Sequence, residues 1–463
     1  MRTPLKLVGG LIALALIAFT GSASAALRVE WMPGFKAPGT PAKYDRVGVL
    51  KVGPARAKNV LVLEPGTSAG SAYFVPLARW IVAKEKGWQV WSVERRENLL
   101  EDQSVLDLAK AGKATAAQLF NYYLGYLADP SITHHFTSIP DSSVQFAKGW
   151  GMNVAVHDLH RVIGAARELG GKVVLGGHSL GGGVVTAYAS WDFGGRAGAD
   201  GLSGLVYIDG GSFGTETASA AKTALQQLDA PTATPWLAFG CMAAPLAGLL
   251  EATGSVAALI DPNGPSVGQA SGLLTPFHLT PTVPVTNLAQ YGYAQNVGTS
   301  PADLAAAQAH LGQGLAASGT PRGWDGSGAL TPIKRFAQMF AGAGVANADG
   351  TEWYFPERLS LDLGAIGNGT ASAAQRVLGL KATMGRKLPH RLLIYGFGAA
   401  LGGQLILNQA KQLARQSGIP LGHLTLINRH STYAHNDPAG AYPNNVFFAH
   451  LLPFLSRVSA QAR

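Results

Sequence analysis

Along this chain, short continuous apolar runs alternate with stretches in which apolar residues recur every three or four positions. The runs 59–63 (NVLVL), 88–93 (WQVWSV), 172–175 (KVVL), 202–208 (LSGLVYI), 391–395 (RLLIY) and 423–427 (HLTLI) have the length of strands and little polar alternation. They predict strands buried on both faces, and 44–52 (YDRVGVLKV) predicts a further strand. Phe74, Leu77, Ala78, Ile81 and Val82 share one face of a helix over 74–86. The same period predicts helices over 154–169, 180–190, 403–416 and 446–458. Strand alternating with helix means a mostly parallel sheet with helices on both faces. Two stretches break the rhythm. Residues 94–150 are more polar and irregular, and 214–386 is rich in Ala, Gly, Pro and Thr without strand alternation, which predicts a mainly helical insert.

The first residues follow another logic. Arg2 and Lys6 lead into LVGGLIALALIAF, and Ala23-Ser24-Ala25 follows. Charge, an apolar core and a small-residue triplet in that order predict a cleaved signal peptide over 1–25, and so a secreted or periplasmic chain. The apolar core is shorter than the roughly 20 residues of a spanning helix, so no stable membrane span is expected. The net charge of +9 is mild for 463 residues, and the basic doublets Arg95-Arg96 and Lys334-Arg335 are not interleaved with aromatics. That pattern excludes a nucleic-acid partner and predicts a solvated surface for both doublets. Cys241 is the only cysteine, which rules out an intrachain disulfide.

Within 173–185, VVLGGHSLGGGVV sets glycine and polar residues between two branched apolar runs. A phosphate loop needs Lys and then Ser or Thr after its last glycine, whereas Gly182 is followed by Gly183 and Val184. The stretch does contain Gly177-His178-Ser179-Leu180-Gly181, a GxSxG between a predicted strand and a predicted helix. Small residues there let the chain reverse so sharply that the serine points outward. Residues 58–96, 153–213 and 388–455 resemble an α/β-hydrolase, and LGGHSLGGG is similar to that superfamily's nucleophile elbow. The resemblance covers about half of the chain. It implies an α/β-hydrolase core over 26–213 and 387–463, with a large cap or lid over 214–386 inserted after strand six. It implies further a serine hydrolase that cleaves small-molecule or lipid carboxylic esters through a Ser-His-Asp triad, with no metal or organic cofactor.

A serine hydroxyl needs a base to take its proton. His430 and His435 both lie after 423–427, where the superfamily places its base; His435, in YAHNDP, resembles the ending of many secreted lipases and is preferred, with His450 read as a helix residue. The negative charge formed on the attacked carbonyl needs two backbone N–H donors. Leu180 follows the nucleophile and supplies one, and Thr67 in EPGTSAG (64–70) is expected to supply the other. That loop departs from the superfamily, which usually carries His-Gly where this chain has Glu64-Pro65. The acid departs as well. From 388 to 428 there is no Asp or Glu, so the commonest acid position is empty. Asp209, at the end of 202–208, is expected to orient His435 as pancreatic-type lipases do from that strand, with Asp437 the next candidate and Asp349 and Asp362 assigned to the cap.

Other clusters are weaker. His157 and His160 flank Asp158 without a third ligand in a metal spacing, and His134-His135 sits in a polar loop. Gly396-Phe397-Gly398-Ala399-Ala400-Leu401-Gly402 resembles a nicotinamide-binding GxGxxxG, but no acid ends the next strand to hold a ribose. Aromatic residues of the insert, among them Trp236, Phe340, Trp353 and Tyr354, are expected to build the cap's own core and in part to line an acyl pocket. Two other readings stay open: an amidase or peptidase using the same residues, and a binding protein that retains the elbow.

Overall fold

The computed structural model describes residues 27–239 and 242–462. The signal peptide expected over 1–25 and Cys241 lie outside the described residues. One sheet contains β1 (Leu27–Pro33), β2 (Arg46–Val52), β3 (Asn59–Glu64), β4 (Trp88–Glu94), β5 (Val173–His178), β6 (Gly204–Ile208), β7 (Val345–Ala346), β8 (Leu393–Gly398) and β9 (Leu424–Asn428). Their order is β7-β1-β2-β4-β3-β5-β6-β8-β9. From β4 to β9 every pairing is parallel, whereas β2 runs antiparallel to both of its neighbours.

The continuous apolar runs are explained by this layering. In β3, Val60 and Val62 face one core while Leu61 and Leu63 face the other. Helices Met152–Glu168, Leu180–Ser190 and Gly403–Ser417 cover the first face, and Val75–Lys84 with Val446–Ala460 cover the second. A strand roofed on both sides favours apolar residues at successive positions, and the polar residues it does bury need partners. The strand β1, next to the two-residue edge strand β7, mostly alternates partly buried and exposed residues instead.

The structure differs from the sequence reading in how 94–150 and 214–386 are divided. Helices Ser104–Lys110 and Ala116–Tyr123 pack with helix Ala244–Ile260 around a separate core that includes Leu106, Leu119, Tyr123, Trp150, Leu249 and Trp353. Their apolar stripes have no access to the sheet, so they are buried against one another. The later part of the insert returns to the main cores. Phe336 and Met339 on helix Ile333–Ala341 join Tyr73 and Phe74, β7 pairs with β1, and Leu359 and Ile366 on helix Glu357–Ile366 join the first face. The insert also carries an antiparallel pair, Gly314–Gly319 with Arg322–Asp325, where no strand is legible. No helix among the described residues is long and apolar enough to cross a membrane.

Candidate active site

The strand β5 ends at His178, and the chain reverses at Ser179, whose φ of 55° and ψ of −126° open helix Leu180–Ser190. The reversal depends on glycines on both sides. A Cβ on Gly177 would lie 2.2 Å from the Gly181 carbonyl, and one on Gly210 would lie 1.9 Å from that of Ser179. Both distances are inside hard-core contact, so the elbow and the end of β6 can close only as glycines. The Ser179 N–H donates to the Ile208 carbonyl at 3.1 Å. Leu180 holds the first position of the helix, where an N–H has no intrahelical partner.

Asp209 directly follows β6, also at positive φ, 43°. Its buried carboxylate is enclosed by donors. Oδ1 accepts the N–H groups of Ala399, Gly402 and Gly403 at 2.6, 2.8 and 3.3 Å. Oδ2 accepts the Leu401 N–H at 3.2 Å and His435 Nδ1 at 2.7 Å. Burial opposes its charge, but His435 and the Ala399 and Gly402 amides outweigh that and hold the carboxyl below its ordinary range. The glycine cluster after β8 thus wraps a carboxylate of the protein itself. The loop after β8, which holds no Asp or Glu, carries backbone donors to Asp209.

With Asp209 ionised, Nδ1 of His435 bears the proton, and Nε2 is left with a lone pair. The loop behind His435 is fixed from several directions. His178 Nε2 donates to the His435 carbonyl at 2.9 Å, and the two rings lie 4.3 Å apart. Burial and the neighbouring His435 push the His178 pKa down to about 3, which keeps that ring neutral. Tyr73 stacks on His178 and donates its hydroxyl to Asn436 Oδ1 at 2.9 Å. Asn436 in turn donates to the carbonyls of Ala306 and Gln308 in the insert. The sequence reading missed His178 and Tyr73. The position before the serine in GxSxG gave a signal for the first, and nothing distinguished the second from core.

The other candidates are elsewhere. His430 is exposed and bonds Asn428. Asp437 accepts from His310 Nδ1 at 2.6 Å, from Thr331 Oγ1 at 2.7 Å and from the Ala434 N–H at 2.7 Å. Asp362 takes the Met152 N–H and Arg358, and Asp349 takes Gln103. His157 bonds the Asn153 carbonyl, and His160 stacks on Phe193. Trp353 and Tyr354 are fully buried in the separate core and Phe340 in the second face.

Thr67 lies in a loop that reaches Ser179. A Cβ on Gly66 would stand 2.9 Å from the Ser179 Cβ, and the Thr67 N–H has no hydrogen-bond partner among the described residues. The solvated surface expected of Arg95-Arg96 is not found. Arg95 is paired with Glu64 and Glu352, and Arg96 with Asp158 and Asp45, all at the buried end of β4. Each doublet member finds an acid from a distant segment, a pattern invisible to local composition.

Several carboxyls near this loop are buried with too little positive charge. Desolvation pushes Glu94 up to about 8, against the hydrogen bonds from Ser71, and Glu352 up to about 7, against Arg95; the ordinary value is 4.5. The folded protein therefore keeps protons that the unfolded chain releases near 4.5; the neutral buried His178 acts in the opposite sense up to 6.5, so stability falls as pH rises between about 6.5 and about 8. Melting temperature is expected to decline across that window, and Glu94→Gln to flatten the decline. A wild-type melting temperature that rises over the same window would contradict this assignment.

No family model matches the chain, and no curated protein matches it. Among solved structures it is similar to a candidate lipase from Sulfolobus solfataricus, at 14% identity over 93% of each chain with a TM-score of 0.47. It is similar also to an esterase from Thermogutta terrifontis, at 13% identity over 93% of this chain and 99% of that one, TM-score 0.38. A third is a monoglyceride lipase from Saccharomyces cerevisiae, at 10% identity over 95% and 98%, TM-score 0.38. The sheet order, the antiparallel β2, the helices on both faces and the Ser179 elbow after β5 together make this an α/β-hydrolase fold.

Proposed function

We propose that this chain is a serine hydrolase that cleaves carboxylic esters, exported by its N-terminal signal peptide to the periplasm or beyond. The observation that carries the reading is the 2.7 Å bond from His435 Nδ1 to the buried Asp209 carboxylate, taken together with a serine held at positive φ on a strand-to-helix turn. In this reading Ser179 Oγ attacks the ester carbon while its proton passes to His435 Nε2. The Thr67 and Leu180 N–H groups hold the oxyanion. The carbonyl re-forms as the alkoxide leaves with the proton from His435, and a water activated by the same nitrogen attacks the acyl-serine. Acid is released and Ser179 recovers its hydrogen. Residues 214–386 are assigned as the cap, which is supported by their bonds to the two loops that carry Thr67 and His435: Gly70 N–H to the Gly350 carbonyl, and His310 to Asp437.

A panel of nitrophenyl esters of increasing acyl length tests the reading. The expected outcome is turnover with a chain-length optimum. Folded protein without turnover of any member would contradict it.

A further inference from the structure

The chain departs from its superfamily at Glu64-Pro65, and a buried arginine stands behind that departure. Arg95, just past β4, is 5% exposed. Its Nε donates to Glu352 at 2.7 Å. One terminal nitrogen donates to Glu64 at 3.0 Å and to the Pro65 carbonyl at 3.2 Å, and the other to the carbonyls of Gly66 at 2.9 Å and Ala69 at 3.0 Å. A guanidinium has five N–H donors in a rigid fork, and all five are in use. Three of the acceptors are carbonyls of the loop that carries Thr67. Glu352 adds a fourth tie to the loop, because its own N–H donates to the Ser68 carbonyl at 2.9 Å.

The direction of these bonds matters. In a trans peptide the C=O and the N–H point to opposite sides. With the Gly66 carbonyl drawn to Arg95, the Thr67 N–H of the same peptide is turned away from it, and Gly66 itself stands against Ser179. Ser68, next along, is held at a φ of 49°, a conformation that a loop without such ties would not keep. We propose that Arg95 is a positioning residue for oxyanion stabilisation, fixing the Gly66–Thr67 peptide so that the Thr67 N–H is aimed at the tetrahedral oxygen formed on Ser179. This rests on the ester-hydrolase reading above. Glu64 and Glu352 accept hydrogen bonds from the guanidinium and keep it in place, and Glu64 stands where the superfamily usually has histidine.

Arg95→Lys keeps the charge but replaces the fork with three donors on one atom, which cannot span five acceptors. Removing one oxyanion donor in other hydrolases costs about a hundred-fold to a thousand-fold in kcat. Arg95→Lys is expected to lower kcat about a hundred-fold with KM changed less than about threefold, and to weaken binding of a trifluoromethyl ketone by a factor similar to the loss in kcat. A purely structural arginine would instead lower the melting temperature and leave kcat and ketone affinity of the folded fraction unchanged, and that result overturns the proposal. The crystal structure of the wild-type protein with the same ketone decides the matter even if the variant does not fold. An oxyanion on the Thr67 and Leu180 N–H groups, with Arg95 still on the Gly66 carbonyl, supports the proposal. An adduct on Ser179 whose oxygen avoids Thr67 overturns it alone. A ketone bound to a residue other than Ser179 overturns the ester-hydrolase reading and the proposal with it.

Discussion

Ser179→Ala is expected to lower ester turnover on the order of a million-fold without loss of fold. The hydroxyl is the bond-forming atom in this account, and nothing downstream substitutes for it. The structure gives the side chain no competing structural duty. Ser179 begins helix Leu180–Ser190 without a side-chain capping bond, and alanine keeps the Cβ, so the strain at φ 55° is unchanged. Melting temperature should therefore stay close to wild type. His435→Ala is expected to lose a similar factor, and the double variant no more than either single one, because nucleophile and base act as a unit. Additive losses would mean that the two side chains work independently.

Asp209→Asn is the second large effect, about ten-thousand-fold in kcat by analogy with serine-protease triads. The reason lies in the donors around the carboxylate. Three N–H groups converge on Oδ1, so the asparagine carbonyl oxygen settles there and its NH2 faces His435. Nδ1 must then accept rather than donate. The proton moves to Nε2, and the nitrogen that should take the serine proton is already occupied. The fold is expected to survive, since the three amides keep their acceptor. Near-normal turnover would remove Asp209 from the account and direct attention to Asp437, although that carboxylate is committed to His310, Thr331 and Ala434.

Most of the sheet was legible because central strands of a parallel sheet are roofed on both faces and so read as unbroken apolar runs. β1 alternates as a strand near the sheet edge does, but it follows the apolar leader so closely that its pattern was lost, and β7 spans too few residues to have one. The elbow was legible because its glycines answer to a local turn. The surroundings of Asp209 were not. The glycine cluster at 396–402 resembles a nicotinamide loop but lacks its acid, and only the fold reveals that its amides serve an aspartate some 190 positions earlier. Arg95 and Arg96 failed the same way. A charged doublet reads as surface unless its acids are known, and those acids, Glu64, Glu352, Asp45 and Asp158, come from four separate segments. Long-range compensation of buried charge leaves no periodic trace in a sequence.

The central claim is that Ser179, activated by His435, becomes acylated during turnover. Mixing the protein with a slow nitrophenyl ester and mapping the trapped acyl group by peptide mass spectrometry tests it directly. The account predicts a burst of one nitrophenol per chain and an acyl group on Ser179, with both burst and adduct absent in Ser179→Ala and burst rate collapsed in His435→Ala. Turnover with no adduct on Ser179, or undiminished in Ser179→Ala, would contradict it.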